Sequence, residues 1–307
     1  MTDAVIAKSE QAIAQGSQSF ATAARLFDRR TRDDAVMLYA WCRYCDDVID
    51  GQTLGHDQTG NFRDGQQYRL SVLRHQTAAA LCGGQTNEPV FEALCRVVDL
   101  HQIPARHPEE LLRGFEMDVE ERSYATIEDT LDYCYHVAGV VGVMMSMIMG
   151  ARDPHVLDRA CDLGIAFQLT NIARDVVEDA RAGRYYMPAD VLARHGITEI
   201  DPEDRTQRTQ LHAAAVELLD LAEAYYQSAY QGLASLPPRS AWAIATARRV
   251  YRAIGTKLRT AGPNAWEERV STTKAEKAAL LSVALGDVVR SRLRMQEVPR
   301  QGLWQRP

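Results

Sequence analysis

The sequence predicts an all-α fold, on three observations. Apolar residues recur at helical spacing over long stretches. No stretch sustains the period-two alternation of a half-buried strand, and Gly and Pro punctuate the intervals between periodic segments. At 307 residues the chain can bury a large core, as one big domain or two small ones, and 46% hydrophobic with 25% charged residues is ordinary for a globular protein.

The elements follow in order. Residues 4–14 read as a short helix ending near Gly16, and Ser17 or Ser19 suits an N-cap ahead of 21–26. A strong helix is expected over 32–50, closed by Gly51. Residues 51–67, carrying Gly51, Gly55, Gly60 and Gly65, read as a mobile loop placed to act as a lid. Helices are expected over 68–81, 89–101, 108–119 and 127–150. The last of these holds fifteen uncharged residues from Val137 to Ala151. That falls short of the ~20 that span a bilayer, so a buried central helix is expected. Gly139 and Gly142 weaken such a helix by roughly 1 kcal/mol each relative to Ala, which predicts close approach by another backbone or by a ligand. The Met-rich run 144–149 reads as core that also suits a flexible hydrocarbon, and His136 reads as a core histidine. Beyond the helix around 165–179, Pro188 opens a helix closed by Gly196. Helices over 207–233, 241–260 and 274–295 complete the chain, with a break at Pro237-Pro238.

Two stretches carry chemistry. In the first, Tyr39, Arg43, Asp46 and Asp50 share one helix face. Three acids in five residues at a helix C-terminus oppose the helix dipole. In the second, Ile165, Leu169, Ile172 and Val176 form an apolar stripe beside a polar one of Gln168, Asn171, Asp175 and Asp179. Each stretch places two aspartates four residues apart, a like-charge pairing that costs roughly 0.2–0.5 kcal/mol. A solvated face explains one such stripe. Two with the same spacing point instead to a cavity between helices in which paired carboxylates hold a hard cation such as Mg²⁺ together with substrate phosphates.

Charge is unevenly spread. The net is −6, yet residues 241–307 hold 13 Lys/Arg against 5 Asp/Glu. The balance argues against nucleic acid as a partner, and the basic C-terminal stretch fits either anionic lipid or phosphate, or a solvated helical face. Of the six cysteines, Cys42 and Cys45 have C-x-x-C spacing with no second pair at zinc-ribbon distance and sit in an apolar helical pattern, so they are expected as buried thiols. Met1-Thr2-Asp3-Ala4 opens neither a secretory signal nor an Arg-rich transit pattern, so a cytoplasmic location is expected. No G-x-G-x-x-G follows a strand, so no NAD(P)H is expected.

The acidic run 46–50, the run Tyr133 to Gly142 and the stretch Gln168 to Asp179 together resemble the squalene/phytoene synthase family over nearly the whole chain, about 17–293. Two D-x-x-x-D pairs 129 residues apart, one preceded by Y-x-x-x-R and the other set in Q-x-x-N-x-x-R-D, are highly specific. The resemblance implies a single-domain isoprenoid synthase bundle, 1–307, around a central cavity. It implies that Asp46, Asp50, Asp175 and Asp179, with Asn171, hold Mg²⁺ (or Mn²⁺), and that Gln168 completes that face. By the same resemblance Arg43, Arg174, Tyr251 and Arg269 hold or activate diphosphate, with Tyr39 and Tyr186 as further contacts. Ser17, Ser19 and Phe20 would line the diphosphate and first isoprene region, while Val137, Gly139 and Gly142 would line the apolar part.

The implied reaction is head-to-head condensation of two geranylgeranyl diphosphates through a cyclopropyl diphosphate to phytoene, the first committed step of carotenoid biosynthesis. A dehydrosqualene- or squalene-type synthase using farnesyl diphosphate is the alternative. Chain elongation is disfavoured by the Q-x-x-N-x-x-R-D setting, and a non-enzymatic scaffold by the retention of both acid pairs. An oily product further implies peripheral membrane contact and contact with carotenoid-pathway enzymes.

Overall fold

The computed structural model describes residues 4–16, 23–52, 63–84, 88–293 and 299–307. Among these it contains helices and turns and no strand, so the fold is all-α. The expected N-cap at Ser17 or Ser19 and most of the 51–67 loop lie outside the described residues.

Helix α1 spans Ala4–Gly16 and α2 spans Arg29–Asp50. Helix α2 starts three residues earlier than periodicity suggests, because Asp28 caps it by accepting the Thr31 N–H at 3.1 Å. It ends where Gly51 turns left-handed at φ 60°. Then come α3 (Gln66–Leu81), α4 (Pro89–His101) and α5 (Arg106–Val119). Helix α6 (Ile127–Cys134) begins with a capping box between Thr126 and Asp129. It runs through a π-helical turn at Tyr135–Gly139 into α7 (Val140–Ile148). The expected continuous α-helix is thus interrupted where it carries an extra residue in one turn, a device common at functional sites. Ile127–Ile148 is apolar and long enough to cross a membrane, but two-thirds of its most apolar window is buried within the protein, as fits a core helix.

The long helix α8 (Pro154–Arg181) lies at the centre. It is flanked by the π turn, α7, α10 (Arg208–Gln231) and α11 (Pro238–Ala261). Its apolar stripe Ile165, Leu169, Ile172 and Val176 is buried as expected. The short α9 (Ala189–Arg194) precedes α10, and α12 (Lys274–Leu293) packs on α11.

The glycines explain how α7 and α8 come so close. A Cβ on Gly164 would lie 2.2 Å from the Ala138 carbonyl oxygen, and one on Gly142 would lie 2.4 Å from that of Ala160. A Cβ on Gly139 would meet the side chains of Cys161 and Ile165 of α8, so this glycine makes room for side-chain packing against α8. All six cysteines are free thiols.

The basic C-terminal stretch is mostly neutralised within the fold. Arg249 pairs with Asp287, Arg252 with Glu223, Lys257 with Glu276, Arg259 with Asp220, Arg300 with Asp162 and Arg306 with Asp158. The buried Arg248 donates to the Tyr226 carbonyl at 2.8 Å. The basic residues of this stretch therefore pair with acids of α8, α10 and α12 more than they form a free basic surface.

Replacing Gly164 by Ala forces a methyl group against a backbone carbonyl that cannot rotate away. The expected cost is about 1–3 kcal/mol, net of the better helix propensity of Ala. Urea unfolding of Gly164→Ala checks this, with Gly286→Ala, where a Cβ meets open space, as the control.

Candidate active site

A cavity of about 430 Å³ runs between α2, α5, α7, α8 and α11. On α8 its lining extends from Asn171 back to Val156, which at 1.5 Å per residue is roughly 22 Å. One end is polar, with Tyr39, Arg43, Asp46, Asp118, Tyr133, Gln168, Asn171 and Tyr251. The rest is mostly apolar, including Phe115, Val137, Val141, Met145, Leu163 and Phe167, with Ser146, Arg159, Thr246 and Lys277 also in the lining. Ser17, Ser19 and Phe20 lie outside the described residues. Gly139 packs against α8 and is not among the lining residues.

The polar end collects acids and arginines from distant parts of the chain. Arg43 donates to Asp46 at 2.6 Å and to the Tyr39 hydroxyl at 3.4 Å. Arg174 grips the neighbouring Asp175 with two hydrogen bonds, one of 2.7 Å from Nε. Arg269 reaches the same carboxylate at 3.1 Å. Arg184 grips Asp50 with two hydrogen bonds, one of 3.1 Å from Nη1. Tyr186 and Tyr133 stack at 4.8 Å and both donate to Asp118, at 2.9 and 3.3 Å. Tyr251 stacks on Phe167 at 4.1 Å, in a position where the charges of both Arg174 and Arg43 act on it. Of the expected set, the described polar residues thus gather from α2, α8 and α11 and from the segments that follow α8 and α11.

The electrostatics follow from crowding. Burial, reinforced by Asp175, pushes Asp179 up to about 8, while Arg184 opposes it. Burial lifts Asp118 to about 7 against the pull of Arg184. Burial lifts Asp46 to about 6, with Arg43 opposing and Asp50 adding. Asp46 keeps 38% of its side-chain surface open, and that surface faces the enclosed cavity. Such carboxyls hold protons near neutrality unless cations compensate them.

Among the described residues, no group of three His, Cys, Asp or Glu is drawn together as a ready-made metal cage. The donor set nevertheless suits a hard cation. The acids are all oxygen donors, burial and neighbouring carboxylates make the charged forms of Asp46 and Asp179 harder to hold without added positive charge, and the buried Oδ1 of Asn171 has no hydrogen-bond partner.

Arg184, Asp118, Tyr133 and Phe167 were not expected as site residues. Arg184 lies 134 residues from Asp50, so no local spacing marks it. The available signal was its place just past the second acid pair, in a loop turned back by Gly183 at φ 73°.

A sequence model of squalene/phytoene synthase matches residues 13–276. The chain belongs to the squalene/phytoene synthase family. A 15-cis-phytoene synthase of Paracoccus sp. (strain N81106 / MBIC 01143) is 54% identical over 307 residues, covering all of this chain and 99% of that protein. A 15-cis-phytoene synthase of Pantoea ananas is 52% identical, covering 97% of this chain and 96% of that one. Among solved structures, a dehydrosqualene synthase in complex with ligand superposes with a TM-score of 0.81 at 28% identity, covering 93% of this chain and 97% of the other.

A carboxyl held above its unfolded value keeps a proton that the unfolded chain has lost, so folding stability falls as pH rises from the ordinary carboxylate range to the raised one. Without divalent cations the thermal midpoint is expected to drop between about pH 6 and about pH 8.5. Added Mg²⁺ displaces those protons and is expected to raise the midpoint more at the higher pH, as differential scanning fluorimetry can measure.

Proposed function

We propose that the protein condenses two geranylgeranyl diphosphates head to head into phytoene, the first committed step of carotenoid biosynthesis. The observation carrying this reading is full-length identity of 54% to a 15-cis-phytoene synthase, joined to a deep apolar cavity with acids and arginines at its mouth.

An allylic diphosphate ionises when its departing negative charge is stabilised. Arg43 and Tyr251 line the polar end of the cavity and Arg174 acts on Tyr251, so these donors are placed to give charge-assisted hydrogen bonds to that leaving group. Arg184 and Arg269 add positive charge at the rim. Asp46, Asp50, Asp175 and Asp179, with Asn171, would hold a divalent cation, Mg²⁺ or Mn²⁺, which would supply Lewis-acid stabilisation of the leaving diphosphate. The apolar walls from Val137 to Met149 keep water from the allylic cation. C1 of that cation joins the C2–C3 bond of the second substrate and a proton leaves, giving the cyclopropyl diphosphate. A second ionisation, rearrangement and proton loss yield phytoene. Each stage releases one diphosphate and one proton, and no reductant is consumed.

Purified protein given Mg²⁺ and geranylgeranyl diphosphate, without nicotinamide, is expected to yield phytoene in the organic extract. A thirty-carbon product formed only from farnesyl diphosphate would move the reading to a dehydrosqualene-type synthase. Asp175→Asn and Arg184→Ala are each expected to lower kcat/KM by about 10²–10³-fold, the scale of losing one preorganised charge partner.

A forty-carbon hydrocarbon also needs an apolar destination, and contact with carotenoid-pathway enzymes at a bilayer fits that need. Val283, Leu285, Val289 and Leu293 on α12 are each about half exposed or more and suit peripheral membrane contact better than the largely paired basic residues do. Flotation with liposomes is expected to weaken in Val289→Asp/Leu293→Asp and to resist salt. A protein that floats equally well with both changes does not use this face.

A further inference from the structure

Far from the acid pairs, residues 299–307 pack against the N-terminal half of α8. Asp162 lies on α8 thirteen residues before Asp175, roughly 20 Å along the axis, and is completely buried. A buried carboxylate needs a partner. Its partner is Arg300, whose Nε and Nη2 both donate to it, the latter at 2.7 Å. Ser228 donates to the same carboxylate, and Arg159 donates to Ser228 at 2.7 Å. Two further hydrogen bonds fasten the rest of the segment. The Trp304 N–H donates to the Tyr225 hydroxyl at 3.0 Å, and Arg306 donates to Asp158 at 2.6 Å.

This segment touches the cavity wall in two ways. The Trp304 ring lies 4.9 Å from that of Tyr135, the first residue of the π turn, whose Val137 and Ala138 line the cavity. Arg159 lines the apolar cavity on one side. On the other it lines a polar cleft of about 300 Å³ formed with His155, Asp158, Arg300, Gln305 and Arg306. One arginine side chain, held in a network that ends on Arg300, thus separates a polar surface cleft from the compartment where the hydrocarbon chains would lie.

We propose that residues 299–307 act as a strap that seals the distal end of the substrate cavity against water, with Trp304 and Arg300 as positioning residues for the π turn and for Arg159. The consequence for chemistry rests on the head-to-head reading above. An allylic cation that meets water forms a C–O bond to the water oxygen and passes a proton to solvent, so a prenyl alcohol leaves in place of the condensed product. A loosened strap therefore diverts product without preventing ionisation, because the diphosphate-binding residues lie at the other end of α8.

The experiment uses the full chain. Trp304→Ala removes the contact to Tyr135 while leaving the Arg300–Asp162 pair intact. Wild type and variant are given Mg²⁺ and geranylgeranyl diphosphate in ¹⁸O-labelled water, and phytoene, the cyclopropyl diphosphate and prenyl alcohol are quantified by mass spectrometry. Label in the alcohol marks capture of the cation, whereas phosphate-ester hydrolysis at phosphorus leaves the alcohol unlabelled. Hydrogen exchange of peptides covering 135–142 is followed in parallel and needs no turnover.

The expected result is a severalfold rise in labelled alcohol relative to phytoene, with diphosphate release little changed, together with faster exchange over 135–142. If the variant unfolds, the double change Arg300→Met/Asp162→Asn tests the same seal without leaving a buried charge unpaired. Unchanged exchange over 135–142 overturns the positioning role, and unchanged product partition with loosened exchange overturns the seal. A wild-type protein that makes no condensed product from either prenyl diphosphate sinks the reaction assigned above, while the exchange comparison still judges the strap.

Discussion

The mouth of the cavity is governed by one constraint: carboxylates enclosed at close quarters cannot all be charged without positive partners. Asp46, Asp50, Asp118, Asp175 and Asp179 meet there, and burial raises three of them toward or past neutrality. Arg43, Arg174, Arg184 and Arg269 offset part of that charge, each from a different stretch of chain. Such a site is stable only in combination with protons or added cations. That is why the same residues suit a hard metal and an anionic substrate. Its cost to the fold is offset elsewhere, by the buried stripes of α8 and the close contact of α7 with α8.

That close contact shapes the second half of the site. With Gly142 and Gly164, the two helix backbones approach within a distance that side chains would forbid. The π turn at Tyr135–Gly139 shifts the register of the same helix, turning Val137 and Ala138 toward the cavity while Gly139 stays against α8. Polar chemistry and apolar containment therefore lie on one long helix, α8. Its C-terminal half carries the acids, and its N-terminal half is covered by the end of the chain.

The C-terminal stretch illustrates how a charge pattern can mislead. An excess of basic residues over 241–307 reads equally well as a lipid-facing surface or as a solvated face. In the fold, most of these side chains pair with acids of α8, α10 and α12, and one of them, Arg300, serves a completely buried aspartate. Composition counts charges, whereas only the packed chain assigns them partners.

Several features were legible from residue order because they are local. The helices over α2, α4 and α8, the Gly51 terminus, the buried stripe from Ile165 to Val176 and the two D-x-x-x-D pairs all follow from neighbours within four residues, a range set by the 3.6-residue period of the helix. The family was legible for the same reason, since its motifs are short and sit on single helices. Tertiary structure alone decided that Arg184 faces Asp50 and Arg269 faces Asp175, that Asp118 joins Tyr133 and Tyr186 at the polar end, and that Gly139 packs against α8. It also decided that Arg300 pairs with the buried Asp162. These are meetings between residues tens to more than a hundred positions apart, and no periodicity in a sequence encodes them. They arise only when buried charge must find a partner and α8 must find neighbours on every side.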